Sequence, residues 1–288
     1  MILRKTNEFL GHKHSIYALA KKDTNSFFSG DGNGTIAEWT LNNPDGKAII
    51  ILKEPVFYLN FDKAKQNLFI GTQWGNLFVV NIPGKQIVKA LKINQKAIFS
   101  ILLVEDSILL GNESGNITIL RQNDFSLLGE IKIATKSVRT IVYEEPYIFT
   151  GDSEGKISAI NLKTKTIEKK IKAHSLSVFT LCLDGDYLLS GSRDTFIKKW
   201  SLSDLKLQES VIAHQTTVNK IITTKEHIIS AGKDKQIIVW DKKLKFLQAV
   251  KEHTNSVNFL LLLQEKFIIS ASDDRKIIQW EIENTTQM

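Results

Sequence analysis

One column of the sequence recurs at a nearly constant interval. Aligning on Trp200 brings Trp39, Val80, Leu120, Ile160, Trp200, Trp240 and Trp280 together, with a spacing of 41 residues once and 40 five times. A period of this length constrains folding more than composition does. Each copy is one supersecondary unit that cannot bury its own apolar faces and must stack on its neighbours. The most regular copy, HSLSVFTLCLDGDYLLSGSRDTFIKKW at 174–200, holds three short apolar runs, VFTLCL, YLLS and TFIKKW. Their length, their β-branched, leucine and aromatic content and the Gly/Asp turns between them read as strands. The segment after the Trp column, such as NLKTKTIEKKIK at 161–172, supplies a fourth.

Seven copies of a four-strand unit imply a propeller or another repeat array. The expected fold is all-β, a seven-bladed β-propeller of four-stranded antiparallel blades, forming a single domain over 1–288 because the repeat leaves no linker. The last copy stops soon after Trp280, and the N-terminal stretch contains Ile2, Leu3 and Phe9. Residues 2–9 are therefore expected to complete the last blade and close the ring, which removes an open sheet edge. Disorder is expected only for 283–288. Two columns are uniformly apolar and read as core: Ile16, Val56, Ile98, Val138, Val178, Val218 and Val257, and Ile36, Leu77, Ile117, Ile157, Ile197, Ile237 and Ile277.

Gly11-His12, the SGSRD of copy 5 and Trp240-Asp241 resemble the WD-repeat family of β-propellers, and the resemblance spans almost the whole chain. It implies hydrogen-bonded sets His174-Ser190-Asp194-Trp200, His214-Ser230-Asp234-Trp240 and His253-Ser270-Asp274-Trp280. In copy 1 it implies His12, Ser29, Asn33 and Trp39, with Asn in place of Asp. A buried His and Asp must satisfy each other or bear a desolvation cost. A His-Ser-Asp trio repeated in several blades and laced to a Trp is a fastening, not a catalytic triad. Histidines about 40 residues apart are not spaced as metal ligands. Copies 2–4 depart at nearly every one of these columns, reading Leu52, Ile70, Trp74, Val80, then Asn94, Leu110, Ser114, Leu120, then Ala134, Thr150, Glu154, Ile160. They are expected to hold by apolar packing alone.

No phosphate loop, Cys/His cluster or nucleophile motif is visible, so no enzyme activity, metal or cofactor is expected. The column one past the inner apolar position reads Tyr17, Phe57, Phe99, Arg139, Phe179, Asn219 and Asn258. By resemblance it lies near the channel mouth, on the face that family members use for partners. The copy 2 turn carries Trp74 where the family has Asp, and the copy 5 turn adds Arg193. One reading is a partner-binding patch of Tyr17, Phe57, Trp74 and Phe99 bordered by Arg139, Phe179 and Arg193, since aromatics and Arg dominate interface hot spots. The other is that Trp74 folds over a neighbouring blade and the phenylalanines pack round the axis.

The net charge of +7 raises a nucleic-acid or polyanion reading. Segments assigned to the outer strands and their turns carry 18 Lys and Arg against 9 Asp and Glu, so the excess lies on the rim. Rim lysines also discourage edge-to-edge sheet pairing, which explains them without a ligand. The favoured expectation is a non-catalytic adaptor for a protein or peptide, monomeric on its own, with polyanion binding as the alternative. The N-terminus has no signal-like apolar run, no membrane span is visible, and a single Cys182 forms no internal disulfide. A cytoplasmic setting is expected.

Overall fold

The 28 strands of the computed structural model, β1 to β28 in chain order, form seven four-stranded antiparallel sheets. The structure describes residues 2–283; of the stretch 283–288 expected to be disordered, Glu283 is instead the last residue of a strand, paired with Ile2, and the rest lies outside the described residues. Six blades use four consecutive strands. Blade 5, for example, is β18 (Val178–Asp184), β19 (Tyr187–Ser192), β20 (Phe196–Ser201) and β21 (Leu207–Ile212).

The innermost strands are β2 (Ile16–Lys21), β6 (Val56–Asp62), β10 (Ile98–Val104), β14 (Val138–Glu144), β18, β22 (Val218–Thr223) and β26 (Val257–Leu263). Each touches the inner strands of both neighbouring blades, so together they ring a central channel. The two uniform columns supply the packing between blades. Every one of their fourteen side chains is at most 1% exposed. Each apolar cluster draws on adjacent blades, as where Val239 of blade 6 meets Val257 and Leu260 of blade 7.

Closure occurs in blade 7, whose order is β1-β28-β27-β26, with β1 spanning Ile2–Phe9, β27 Phe267–Ser272 and β28 Ile277–Glu283. The pairing runs from Ile2 opposite Glu283 to Phe9 opposite Ile277. Phe9 is buried edge-on to Phe27 and Trp39 of blade 1, at 5.5 and 5.6 Å between ring centroids. The seam is thus hydrogen-bonded within blade 7 and glued by aromatic packing to blade 1.

Every inner strand carries a register shift at the same place, between Ile16 and Ala18, Val56 and Tyr58, Ile98 and Ser100, and so on to Val257 and Phe259. The skipped residue is the column Tyr17, Phe57, Phe99, Arg139, Phe179, Asn219 and Asn258. A β-bulge leaves its extra residue unpaired and re-aims its side chain. Here the backbone irregularity turns seven side chains toward one end of the channel.

Candidate functional site

The His-Ser-Asp-Trp sets lie inside the blades. In blade 5, Trp200 Nε1 donates to Ser190 Oγ at 2.8 Å, Ser190 pairs with His174 Nε2 at 2.7 Å, and His174 Nδ1 meets both Asp194 oxygens at 3.0 Å. His214, Ser230, Asp234 and Trp240 repeat this, as do His253, Ser270, Asp274 and Trp280. The chain of donors runs Trp to Ser to neutral His to carboxylate, leaving no imidazole nitrogen for a substrate. Burial holds His174 down to about 4 against the opposing pull of Asp194, which keeps the ring neutral. Among the described residues, no group of three or more His, Cys, Asp or Glu side chains is placed to hold a metal ion.

Blade 1 corrects one assignment. His12 Nδ1 bonds Asp31 Oδ2 at 2.8 Å, and Asn33 is exposed. Asp31 occupies the position of Ser192 and Ser272 in blades 5 and 7, and its longer side chain reaches the imidazole. Its other oxygen accepts from the N–H groups of Asn33 and Thr35 at 2.9 Å each. An ionised acceptor holds an imidazole N–H more strongly than a neutral amide does, so the carboxylate takes the role.

Blades 2–4 are not held by apolar packing alone. Thr72, Asn112 and Asp152, in the column of Asp31, are buried and accept turn N–H groups from Asn76, Ser114 and Glu154 at 3.1, 3.0 and 2.8 Å. Lys92, Lys132 and Lys172, one per blade, reach back from the outer strand to the turn carbonyls of Trp74, Ser114 and Glu154. This lysine clasp occurs where the turn Asp of blades 5–7 is missing. Nearby, Lys165 donates to the Leu128 carbonyl and Lys170 to that of Ile133. Much of the basic rim therefore serves the ring itself.

The bulge column builds the channel mouth. Tyr17 is edge-on to Phe57 at 5.6 Å, Phe57 stacks on Phe99 at 5.8 Å, and the Arg139 guanidinium lies between the rings of Phe99 and Phe179 at 4.5 and 4.6 Å. These five residues form one arc over blades 1–5, each partly exposed to the channel. Burial lowers the Arg139 pKa, with Glu113 opposing and Arg193 adding to the shift. In blades 6 and 7 the column becomes amide and closes the ring by hydrogen bonds. Asn219 Nδ2 donates to Ser256 Oγ and the Val257 carbonyl, and Asn258 Nδ2 to the Ile16 carbonyl and Asp273.

Two candidate residues stand outside the arc. Trp74 is 53% exposed on its turn and takes no part in the mouth's ring contacts; Arg193 is exposed and acts on Arg139 through its charge alone. Sequence reading missed the second layer. Tyr58, Thr140, Lys220 and Phe259, one residue past the bulge, line the same cavity of about 430 Å³ as the arc. Lys220 Nζ sits 4.4 Å from the centre of the Phe259 ring. A lysine in a column otherwise of Ala, Tyr, Ser, Thr and Phe was the available signal.

A ring of seven four-stranded blades, fastened within blades and closed by its N-terminal strand, defines a β-propeller. Residues 165–201 and 205–241 match the family described as "WD domain, G-beta repeat", and these stretches end at Trp200 and Trp240 with the residue following each. The chain is a seven-bladed β-propeller, and the two repeats that these stretches span match the WD-repeat family model. No curated protein matches it by sequence. Among solved structures it is similar to the WD40 β-propeller domain of Doa1, with a TM-score of 0.88, 17% identity and 98% of each chain covered. It is also similar to a chain of the mitotic checkpoint complex, with a TM-score of 0.87 and 14% identity over 98% of this chain and 92% of that one. At such identity the likeness speaks for the fold. WD-repeat propellers are typically non-catalytic protein-interaction scaffolds.

Proposed function

We propose that this protein is a cytoplasmic adaptor whose partner, a protein segment, docks across the channel mouth on the arc of Tyr17, Phe57, Phe99, Arg139 and Phe179. The observation that carries the reading is the arc itself. Five partly exposed side chains of the types that dominate hot spots are pre-assembled in one contiguous run by a repeated backbone bulge. Fixed rings lose little conformational entropy on binding, which favours a rigid docking surface. Trp74 and Arg193, exposed on the turns of blades 2 and 5, are outlying contacts for a longer partner.

A non-catalytic role is supported by the site chemistry. Burial pushes up the pKa of the Cys182 thiol, and His12, His174, His214 and His253 are spent on Ser and Asp. Polyanion binding at the rim is the less favoured reading, because Lys92, Lys132, Lys165, Lys170 and Lys172 donate to backbone carbonyls. Photocrosslinking separates the two surfaces. A crosslinker at Gln73, on the mouth, should capture a defined partner, and one at Lys169, on the rim, should not. Capture from Lys169 alone would overturn the proposal.

A further inference from the structure

Beneath the arc, the throat of the channel holds a cation without a counter-charge. Lys220 is half-buried in the channel wall, bordering both the mouth cavity and a second cavity along the channel. Its ammonium has no hydrogen-bond acceptor and no carboxylate partner among the described residues; its neighbours are the Phe259 ring, at 4.4 Å, and Cys182. Two other lysines, on blades 5 and 6, are paired: Lys199 meets the Lys242 carbonyl and Asp184, and Lys242 meets Asp184 and the Thr224 carbonyl. Secluding an ammonium without an acceptor is costly, and seclusion accordingly lowers the Lys220 pKa.

Arg139 is the second cation on the same cavity. Its faces are taken by Phe99 and Phe179 and its Nε by Ser153 Oγ at 2.9 Å. The two Nη groups have no acceptor among the described residues. Glu113 acts on Arg139 from outside, yet among the described residues no carboxylate lines the cavity. The lining thus offers two cationic side chains, apolar rings and an opening at the ring mouth. An anion entering it would meet both charges in surroundings poorer in water than the surface, where a charge-assisted hydrogen bond is strong.

We propose that the throat is a receptor for a carboxylate side chain, so that the partner segment docked on the arc carries an Asp or Glu that enters the cavity and bonds Lys220 and Arg139. The inference rests on the docking reading above and adds to it the chemistry of the partner. The flanking residues of that segment are apolar or aromatic, because Tyr17, Phe57, Phe99 and Phe179 present four rings along the cavity wall.

The test uses a phage-displayed library of random dodecapeptides panned on the intact chain. Selected peptides are resynthesised with each Asp or Glu replaced by its amide, and with phosphoserine in its place. Peptides whose binding needs the arc, lost in the Phe57→Ala/Phe99→Ala variant, should share one acidic position among apolar residues. Amidating that position should weaken binding to the unaltered protein at least tenfold. Lys220→Met should weaken the acidic peptide by a similar factor and leave the amide form unchanged. The amidation arm needs no variant, so it stands even if Lys220→Met folds poorly, and Lys220→Gln gives a second substitution. Arc-dependent peptides that tolerate amidation, or that prefer phosphoserine tenfold, would overturn the carboxylate receptor and leave the docking reading intact. Selected peptides that bind the Phe57→Ala/Phe99→Ala variant undiminished would overturn the docking reading itself.

Discussion

His12 is held by Asp31, two residues earlier in its turn than the carboxylates that hold His174, His214 and His253. Blade 4 has Asp152 in that same place with Ala134 where the imidazole would be. Asp152 Oδ1 accepts from the N–H groups of Glu154 and Lys156, but Oδ2 is buried with no partner, as is the Oγ of Ser158, which holds the register position of Thr118 in blade 3. Burial raises its pKa above the usual carboxylate range, against the help of those two N–H bonds. In blade 3 the equivalent Asn112 donates to Thr118 Oγ1 at 3.3 Å. Asp152→Asn should therefore leave stability unchanged or raise it by about 1 kcal/mol, through a bond to Ser158 of the kind seen in blade 3. Asp31→Asn should cost about 1–3 kcal/mol, because it withdraws the ionised acceptor from His12. Chemical denaturation of the two variants decides it, and equal losses would contradict the contrast.

Acid should loosen the ring in a defined window. His174 is held down to about 4 by burial, from an ordinary value of 6.5, so the unfolded chain binds its proton first as pH falls. The stability contributed by the neutral ring is complete above 6.5 and is lost progressively down to about 4. The loss amounts to something on the order of 3 kcal/mol for this residue. Melting temperature should fall between pH 6.5 and 4, and His174→Asn should flatten that slope. An unchanged slope in the variant would show that other groups drive the acid response.

Removing β1 opens blade 7 along β28 and withdraws Phe9 from Phe27 and Trp39. Deletion of residues 1–9 should lower the melting temperature by more than ten degrees, and Phe9→Ala alone should cost about 3–5 kcal/mol. A deletion variant that melts like the whole chain would contradict the role of β1 as the closing strand.

Trp74 makes a sharper case for being a surface residue than for packing. At 53% exposure and outside the ring contacts of the mouth, Trp74→Ala should shift stability by less than about 0.5 kcal/mol. A loss above 2 kcal/mol in calorimetry would mean that the indole packs on its blade.

Much of this architecture was legible in the sequence because it depends on periodic burial. The Trp column, the two apolar columns and the unfinished last copy predict seven blades and their closure, and these features need only counting. Asp31 escaped because two neighbouring turn positions compete for one imidazole, and the choice between Asp31 and Asn33 depends on side-chain reach. The apolar-only reading of blades 2–4 failed because Thr72, Asn112 and Asp152 lie outside the columns that define the His-Ser-Asp-Trp set, and the lysine clasps bridge 18 residues. The mouth column was visible as a position of mixed character; its cause, a bulge in every inner strand, is a backbone event that residue identities do not encode. Lys220 was invisible as a site because its meaning comes from what surrounds it in the channel.

The central claim is that the channel mouth binds the partner. Its most direct measurement is quantitative affinity capture comparing the unaltered protein with Phe57→Ala/Phe99→Ala and with Lys163→Glu/Lys165→Glu on the rim, each variant first shown to melt as a folded ring. The account predicts that the mouth variant loses at least nine-tenths of the captured partner while the rim variant retains it. Retention by the mouth variant together with loss from the rim variant would contradict it.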